Sequence, residues 1–158
     1  MTHHPTAPAP SHRAALVGWA HWGVAHAAQI HYAELRPIPV HDAPGTLPLT
    51  TDCSGFVTLC AKWAGCSDPN GLGFSGQGFT GTLLGHCNHI APEHALPGDL
   101  IVYGPGSGHH VVLIVAKLPR GDFDCVSHGS EPDPRELRHS VIAAYQPAPA
   151  TFLRWLDP

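Results

Sequence analysis

The 158-residue sequence predicts an α+β fold in which N-terminal helices pack on a mostly antiparallel β-sheet. Two observations support this prediction. In the first half, apolar residues recur at spacings of three and four, which is typical of helices with one buried face. The second half changes to short β-branched runs separated by glycine and proline, which is typical of strands joined by turns.

The first helix is predicted over residues 11–35. Its apolar residues, from Leu16 to Ile30, fall on one stripe that would face the core. Ser11 supplies a side-chain oxygen for the N-cap, and Pro37 ends the helical pattern.

The second helix is predicted over residues 53–64, with Asp52 as its N-cap. Four prolines interrupt residues 36–51, so this segment is expected to be an irregular loop that leads to Asp52. Glycine-rich residues 65–81 follow the helix as a second long loop, and such loops often form the walls of functional sites. We expect a substrate groove between the second helix and the sheet, walled by residues 67–85.

The sheet is predicted from five runs in the second half. Residues 99–104 and 109–118 are joined by "PGSG" and are expected to pair as a hairpin. Three further strands are expected in "FDCVSHG", "SVIAAY" and "TFLRWL". The predicted organisation is a disordered tail over residues 1–10, rich in proline and alanine, and a single domain over 11–158.

Composition excludes several functional classes. Hydrophobic residues make up 43% of the chain and charged residues only 13%, with a net charge of −4. This balance provides no basic surface for nucleic acid or an anionic membrane, and no apolar run approaches the roughly 18 residues of a membrane span. The N-terminal residues lack the hydrophobic core of a signal peptide, so the chain is expected to be made in the cytoplasm.

The five cysteines argue against a disulfide framework, because their number is odd and no CxxC pair occurs. Cys60, Cys66 and Cys125 are interpreted as core thiols. The "HCNH" segment, with Cys87 between His86 and His89, suggests a metal site together with nearby His94. Its ligand spacing matches no common zinc finger, so no metal and no organic cofactor are expected.

Cys53 is the candidate nucleophile. A thiol attacks as its thiolate, and the start of a helix is a position that lowers a thiol pKa. Ser54 is small and leaves the sulfur and nearby backbone N–H groups accessible, so that these groups could stabilise an oxyanion. Asp52 and Ser54 are candidates for substrate positioning.

The candidate bases are two adjacent histidines, His109 and His110, at the start of a predicted strand. Neighbouring strand residues face opposite sides of a sheet, so only one of them can face Cys53, and the strand register decides which. His128, near the end of the next strand, is the candidate for orienting the base, because paired strands can bring positions 110 and 128 together.

These motifs resemble the NlpC/P60 family of cell-wall cysteine peptidases, which have a papain-like α+β fold. The resemblance rests on "DCSG" at a helix start, then "GDLIVYG", then "GHHVVLIV", and a polar residue on the following strand. It implies that Cys53 is the nucleophile, His110 the base, with His109 as the alternative, and His128 the orienting residue. It also matches Tyr32 to the family tyrosine, which makes Tyr32 a further candidate for substrate positioning, although "AELRPI" replaces the family's Trp-Gly-Gly.

The function implied by the resemblance is cleavage of peptidoglycan stem peptides at the D-glutamyl–diaminopimelate bond. The loop "GFSGQGFTGTLLGHC" is most similar to versions in phage endolysins. The protein is expected to act on the cell wall either after release from the cytoplasm or as part of a virion. Its expected partners are bacterial peptidoglycan and a separate wall-binding lysin component. Two alternatives stay open: a CHAP-type N-acetylmuramoyl-L-alanine amidase and a non-catalytic wall-binding module.

Overall fold

The computed structural model describes residues 11–129 and 133–158. The predicted tail over residues 1–10 lies outside the described residues. The helices and strands of the described chain, in order, are α1 (His12–Ala25), β1 (Ile30–Tyr32), β2 (Leu49–Thr51), α2 (Cys53–Trp63), α3 (Thr80–His86), β3 (Asn88–Ile90), β4 (Leu100–Tyr103), β5 (His110–Lys117), β6 (Phe123–Ser127), β7 (Arg135–Arg138), α4 (His139–Ala143) and β8 (Ala150–Arg154). The predicted α+β class is confirmed.

The main sheet has six strands in the order β3-β8-β4-β5-β6-β7, and every neighbouring pair is antiparallel. The predicted hairpin is confirmed, with Leu100 of β4 opposite Leu113 of β5 and Tyr103 opposite His110. A separate parallel pair joins β1 to β2 and places Tyr32 opposite Thr51. Because α2 begins two residues after Thr51, this pair brings Tyr32 close to the start of α2.

The sheet has two buried faces that are filled by alternate residues. Val111 and Leu113 belong to the core that contains α1 and α2, and we call this side the helix face. Val112 and Ile114 pack on the other side against Ile142 of α4, and we call this side the far face. Burial on both faces explains why β5 is a nearly continuous apolar run.

The first helix is shorter than predicted. Ser11 is its N-cap, as expected, and its side chain accepts a hydrogen bond from Ala14 N at 3.1 Å. The helix ends at Ala25. Ile30, which was expected in the helix, is instead the first residue of β1, because it pairs with Leu49 of β2. Pairing with a distant strand overrides the local helical pattern here.

The prediction of a strand at residues 140–145 is wrong, because this segment begins within α4. The Asp122 carboxylate accepts hydrogen bonds from Ser140 N at 3.1 Å and Ser140 Oγ at 2.6 Å. These bonds hold the first turn of α4 against the loop before β6. The expected glycine-rich loop also contains more structure than predicted, because α3 begins at Thr80 inside it.

Candidate active site

Cys53 is the first residue of α2, and Asp52 is the N-cap, as expected. Asp52 Oδ1 accepts a hydrogen bond from Gly55 N at 2.8 Å. Close packing also explains why residue 55 is glycine, because a Cβ at this position would collide with the side chain of Thr51. The Cys53 side chain and the first backbone N–H groups of α2 therefore lie together at the start of the helix.

The Cys53 thiol is buried, and burial raises its pKa to about 11. Hydrogen bonds from the backbone N–H groups of Val111, Ser54 and Cys53 lower that pKa, but they do not offset the loss of hydration. The nearby Asp52 carboxylate also contributes to this raised value. The helix start thus has the lowering effect on the thiol pKa that the sequence predicts, but burial outweighs it, and formation of the thiolate requires a nearby base.

The strand register separates the two candidate bases. His110 lies opposite Tyr103 on the far face, together with Val112. His109 is exposed and lines the same cleft as Cys53. The expectation that His110 faces Cys53 is corrected by this register, because side chains alternate along β5 and only odd-numbered residues point toward α2.

His110 has a different set of neighbours on the far face. Its Nε2 is hydrogen-bonded to Ser127 Oγ at 2.8 Å, and its ring stacks on that of Tyr103 with centroids 6.3 Å apart. Both His110 and Ser127 are buried. These contacts link β5 to β4 and β6, so His110 contributes to the packing of the sheet.

His128 lies on the helix face and is not paired with His110. Its ring contacts the rings of Tyr32 and Phe56, with centroids 5.4 Å and 5.8 Å away. Its Nε2 donates to the carbonyl oxygen of Thr51 at 2.8 Å, and the His31 carbonyl oxygen is 3.3 Å away.

The other ring nitrogen of His128 has no partner among the described residues, although it is buried. Burial lowers the pKa of His128, which favours the neutral ring. A neutral ring that donates through Nε2 carries a free acceptor at Nδ1. His128 is therefore placed on the same face as His109 with an acceptor available for an N–H donor.

The candidate site is a cleft of about 430 Å³ at the start of α2. As expected, its wall includes residues of the glycine-rich segment after α2. The residues that line the cleft are Tyr32, Glu34, Arg36, Asp52, Cys53, Ser54, Gln77, Phe79, Thr80, Gly108 and His109. The structure thus brings together Cys53, His109, Tyr32, Asp52 and Ser54 and separates them from His110.

Arg36 is a cleft residue that sequence reasoning missed. Its Nη1 lies 2.9 Å from Asp52 Oδ2, and its Nη2 donates to Ser54 Oγ at 3.0 Å. Its Nε donates to the carbonyl oxygen of Gly78 at 2.9 Å. Arg36 therefore links the start of α2 to the glycine-rich wall. Its position two residues before Ile38, among prolines, gave no signal of this role.

Tyr32 and Glu34 both line the cleft. Burial, together with the nearby Cys53, Glu34 and Asp52 side chains, raises the pKa of the Tyr32 hydroxyl to about 12. The phenol therefore stays protonated near neutral pH and can donate a hydrogen bond to a substrate oxygen.

Neither a metal site nor a membrane-spanning helix is found over residues 11–129 and 133–158. No three His, Cys, Asp or Glu side chains among them come together as ligands for an ion. No helix in this part of the chain is long and apolar enough to cross a bilayer. The five cysteines are all buried and free of disulfide bonds.

Sequence comparison finds similarity to a curated protein over part of this chain. No family model matches it. A stretch of 62 residues, 39% of the chain, is 40% identical to the peptidoglycan endopeptidase RipB of Mycobacterium tuberculosis. That match covers 22% of the length of RipB.

Structure comparison matches nearly the whole chain to solved proteins of one fold. RipB from M. tuberculosis, described as a peptidoglycan hydrolase, matches 93% of this chain and 66% of its own, with a TM-score of 0.55 and 22% identity. An NlpC/P60 family protein from Bacillus cereus matches 95% of this chain and 42% of its own (TM-score 0.57, 19% identity). RipD from M. tuberculosis, described as a non-catalytic NlpC/p60 domain protein adapted to peptidoglycan binding, matches 94% and 100% (TM-score 0.58, 17% identity).

These matches confirm the resemblance to the NlpC/P60 family at the level of fold: the chain has the NlpC/P60 fold. The chain spans about two thirds of the length of the RipB structure. Because this fold includes both a hydrolase and a non-catalytic protein, the activity of the chain has to be argued from its own residues.

Proposed function

We propose that this chain is a peptidoglycan hydrolase that cleaves stem peptides as a cysteine endopeptidase. The observation that carries the proposal is the cleft in which Cys53, at the N-terminus of α2, and His109 lie together. Thiol acyl transfer uses a thiol that is activated by a base such as imidazole, and this cleft contains both groups.

The first step of the proposed reaction forms an acyl-enzyme. His109 turns from the rim of the cleft toward Cys53 and takes the thiol proton, and the sulfur then attacks the scissile carbonyl carbon. The new oxyanion accepts hydrogen bonds from backbone N–H groups at the start of α2. The carbon–nitrogen bond breaks, and the His109 imidazolium returns its proton to the leaving amine.

Water completes the reaction by attacking the thioester. His109 accepts a proton from this water, and the Cys53 sulfur leaves and is reprotonated. In this scheme His128 Nδ1 accepts a hydrogen bond from the His109 ring and fixes its orientation. The free acceptor on His128, on the same sheet face as His109, supports this assignment.

The proposed bond is the D-glutamyl–diaminopimelate bond, and the proposed place of action is the cell wall. Similarity to RipB, a peptidoglycan endopeptidase, supports this choice over the CHAP-type amidase. The resemblance of the glycine-rich wall to phage endolysins supports a role in lysing or entering a host cell, after release from the cytoplasm or from a virion. A separate wall-binding lysin component remains part of the same proposal.

The second candidate function is non-catalytic wall binding. Two observations favour it: the raised pKa of the Cys53 thiol and the structural match to RipD, a non-catalytic protein. Under this alternative the cleft holds a stem peptide without cutting it.

The deciding experiment is mass spectrometry of fragments released from diaminopimelate-type peptidoglycan. The wild type is compared with Cys53→Ala, and Cys125→Ala serves as a control because that thiol is buried on the far face. New termini at the D-glutamyl bond, lost only in Cys53→Ala, support the endopeptidase. Free stem peptides with an intact alanine terminus indicate the amidase, and binding of the wall without cleavage indicates the binding module.

A further inference from the structure

A second cavity lies at the opposite end of β5 from the candidate active site. The cleft includes His109, directly before β5, whereas this cavity begins at Leu118, directly after it. The extended chain between these two residues spans about 30 Å, so a ligand in the cavity leaves the cleft open. The cavity has a volume of about 500 Å³, and it lies between the turn that joins β5 to β6 and the junction of β7 with α4.

Two arginine side chains of this cavity have no partner in the part of the chain that the structure describes. Arg120, in the turn, and Arg138, at the end of β7, are both exposed and form neither a side-chain hydrogen bond nor an ion pair there. By contrast, Arg13, Arg36 and Arg154 are each paired with a buried aspartate. The cavity therefore presents two guanidinium groups whose donors are available to a ligand.

The acidic groups near the cavity leave it with a net positive charge. Asp122, which also lines it, accepts hydrogen bonds from Phe123 N at 2.8 Å, Ser140 N at 3.1 Å and Ser140 Oγ at 2.6 Å. Asp124 lies opposite Arg138 in the pairing of β6 with β7, but these two side chains form no ion pair. Two arginines against one aspartate give the lining of the cavity one net positive charge.

The backbone at Arg120 has a conformation that arginine rarely adopts. Its φ is 65°, and Gly121 follows with a φ of 73°. Turns with two left-handed residues favour asparagine, aspartate or glycine, so an arginine at this position costs free energy. Strained residues of this kind cluster at ligand-binding sites. The strain at Arg120 is therefore a second indication that its side chain serves a ligand.

His139 adds an N–H donor to the same cavity. Its Nδ1 lies 2.6 Å from the hydroxyl oxygen of Tyr103, which is buried and has no other partner in the described chain, so the hydroxyl donates to Nδ1. Burial lowers the pKa of His139 and favours the neutral ring, which then carries its proton on Nε2. This nitrogen is neither buried nor bonded to a described residue, so it can donate to a ligand.

We propose that this cavity is a second binding site, which holds a phosphodiester group of an anionic cell-wall polymer. Donors that approach from separate elements fit a tetrahedral phosphate, whose oxygens point in several directions, better than a planar carboxylate. One net positive charge matches one phosphodiester. The chain as a whole has a net charge of −4, which provides no extended basic surface for nucleic acid.

The proposal rests on the proposed function for the place where the polymer is met, the cell wall. A chain that holds a wall polymer at one end of β5 stays at the wall while the cleft at the other end cuts stem peptides. The two sites are separate, so each can be tested without the other.

The test measures binding of poly(glycerol phosphate), a soluble polymer of phosphodiesters, by calorimetry at low ionic strength. Arg120→Asn and Arg138→Gln each remove one guanidinium, and asparagine suits the left-handed backbone of the turn. Arg135→Gln is the matched control, because it removes an exposed arginine of β7 that does not line the cavity. RNA and poly-L-glutamate are the comparison polymers.

We expect each cavity substitution to weaken binding about threefold and the two together about tenfold, within the range of exposed ion pairs, and Arg135→Gln to leave it unchanged. In NMR spectra of the wild type, the ring signals of His139 should shift as poly(glycerol phosphate) is added, which tests the site without any substitution.

Four results would overturn the proposal: undiminished binding by the double variant, an equal loss with Arg135→Gln, equally tight binding of RNA or poly-L-glutamate, or no binding at all. Cleavage of peptidoglycan freed of phosphodiester polymers, measured with the wild type, tests the proposed function separately. Failure of that cleavage would leave the binding result in place.

Discussion

Replacing the two adjacent histidines one at a time separates catalysis from packing. His109 lines the cleft with Cys53, whereas His110 is buried on the far face against Ser127 and Tyr103. We therefore expect His109→Ala to lower the rate of wall cleavage by about 10²- to 10⁴-fold, the usual contribution of a general base, with little change in Tm. An exposed side chain contributes little to stability, which explains the second expectation.

His110→Ala is expected to do the reverse. It leaves Ser127 Oγ, which is fully buried, without its ring partner, and an unsatisfied buried hydroxyl costs about 1–3 kcal/mol. For a chain of this size, about 2 kcal/mol lowers Tm by about 4–8 °C. The cleavage rate per folded molecule should stay within a few-fold of wild type.

The assay pairs thermal unfolding with release of soluble fragments from peptidoglycan at 25 °C. His110→Gln is a useful third variant, because its amide can still hydrogen-bond Ser127 and should recover part of the lost stability. A folded His110→Ala protein without activity, beside an active His109→Ala protein, would refute the register argument.

Three further predictions concern stability and reactivity. Gly23→Ala should destabilise the protein by about 1–3 kcal/mol, because a Cβ there would overlap the ring of Phe56. Gly18→Ala, on the same helix with open space around it, should stabilise by about 0.5–1 kcal/mol, and denaturant unfolding of the two variants checks the contrast. Asp99→Ala should cost about 3–5 kcal/mol, since this fully buried carboxylate pairs with two arginines at 2.9 Å; retention of the wild-type denaturation midpoint would contradict it. Because burial raises the pKa of Cys53 to about 11, its alkylation by iodoacetamide should keep accelerating from pH 7 to pH 10, and peptide mapping that shows a plateau below pH 8 would contradict the buried geometry.

The helix start at Cys53 could be predicted because its signals are local. Asp52 caps a run of apolar residues at helical spacing, and both the cap and the helix occur in the structure. The hairpin of β4 and β5 was equally accessible, since two β-branched runs are joined by a short glycine-rich turn.

Local pattern failed where a distant partner decides the conformation. Residues 140–145 are apolar enough for a strand, yet contacts with Asp122 hold their first turn in α4. Ile30 continues the helical stripe, yet it pairs with Leu49 in β1. Short apolar segments fit either structure, so the neighbour that they pack against settles the choice.

By itself, the sequence determined the fold class, the helix that begins at Cys53 and the strand that begins beside the two histidines. Only the tertiary structure decided which histidine shares a cleft with Cys53, because a shift of one residue in register exchanges the two faces of a strand. It also decided that Glu34 and Arg36 line the cleft, since the parallel pairing of β1 with β2 carries their segment to the start of α2. Pairings between distant residues depend on the whole packed chain, and no local pattern encodes them.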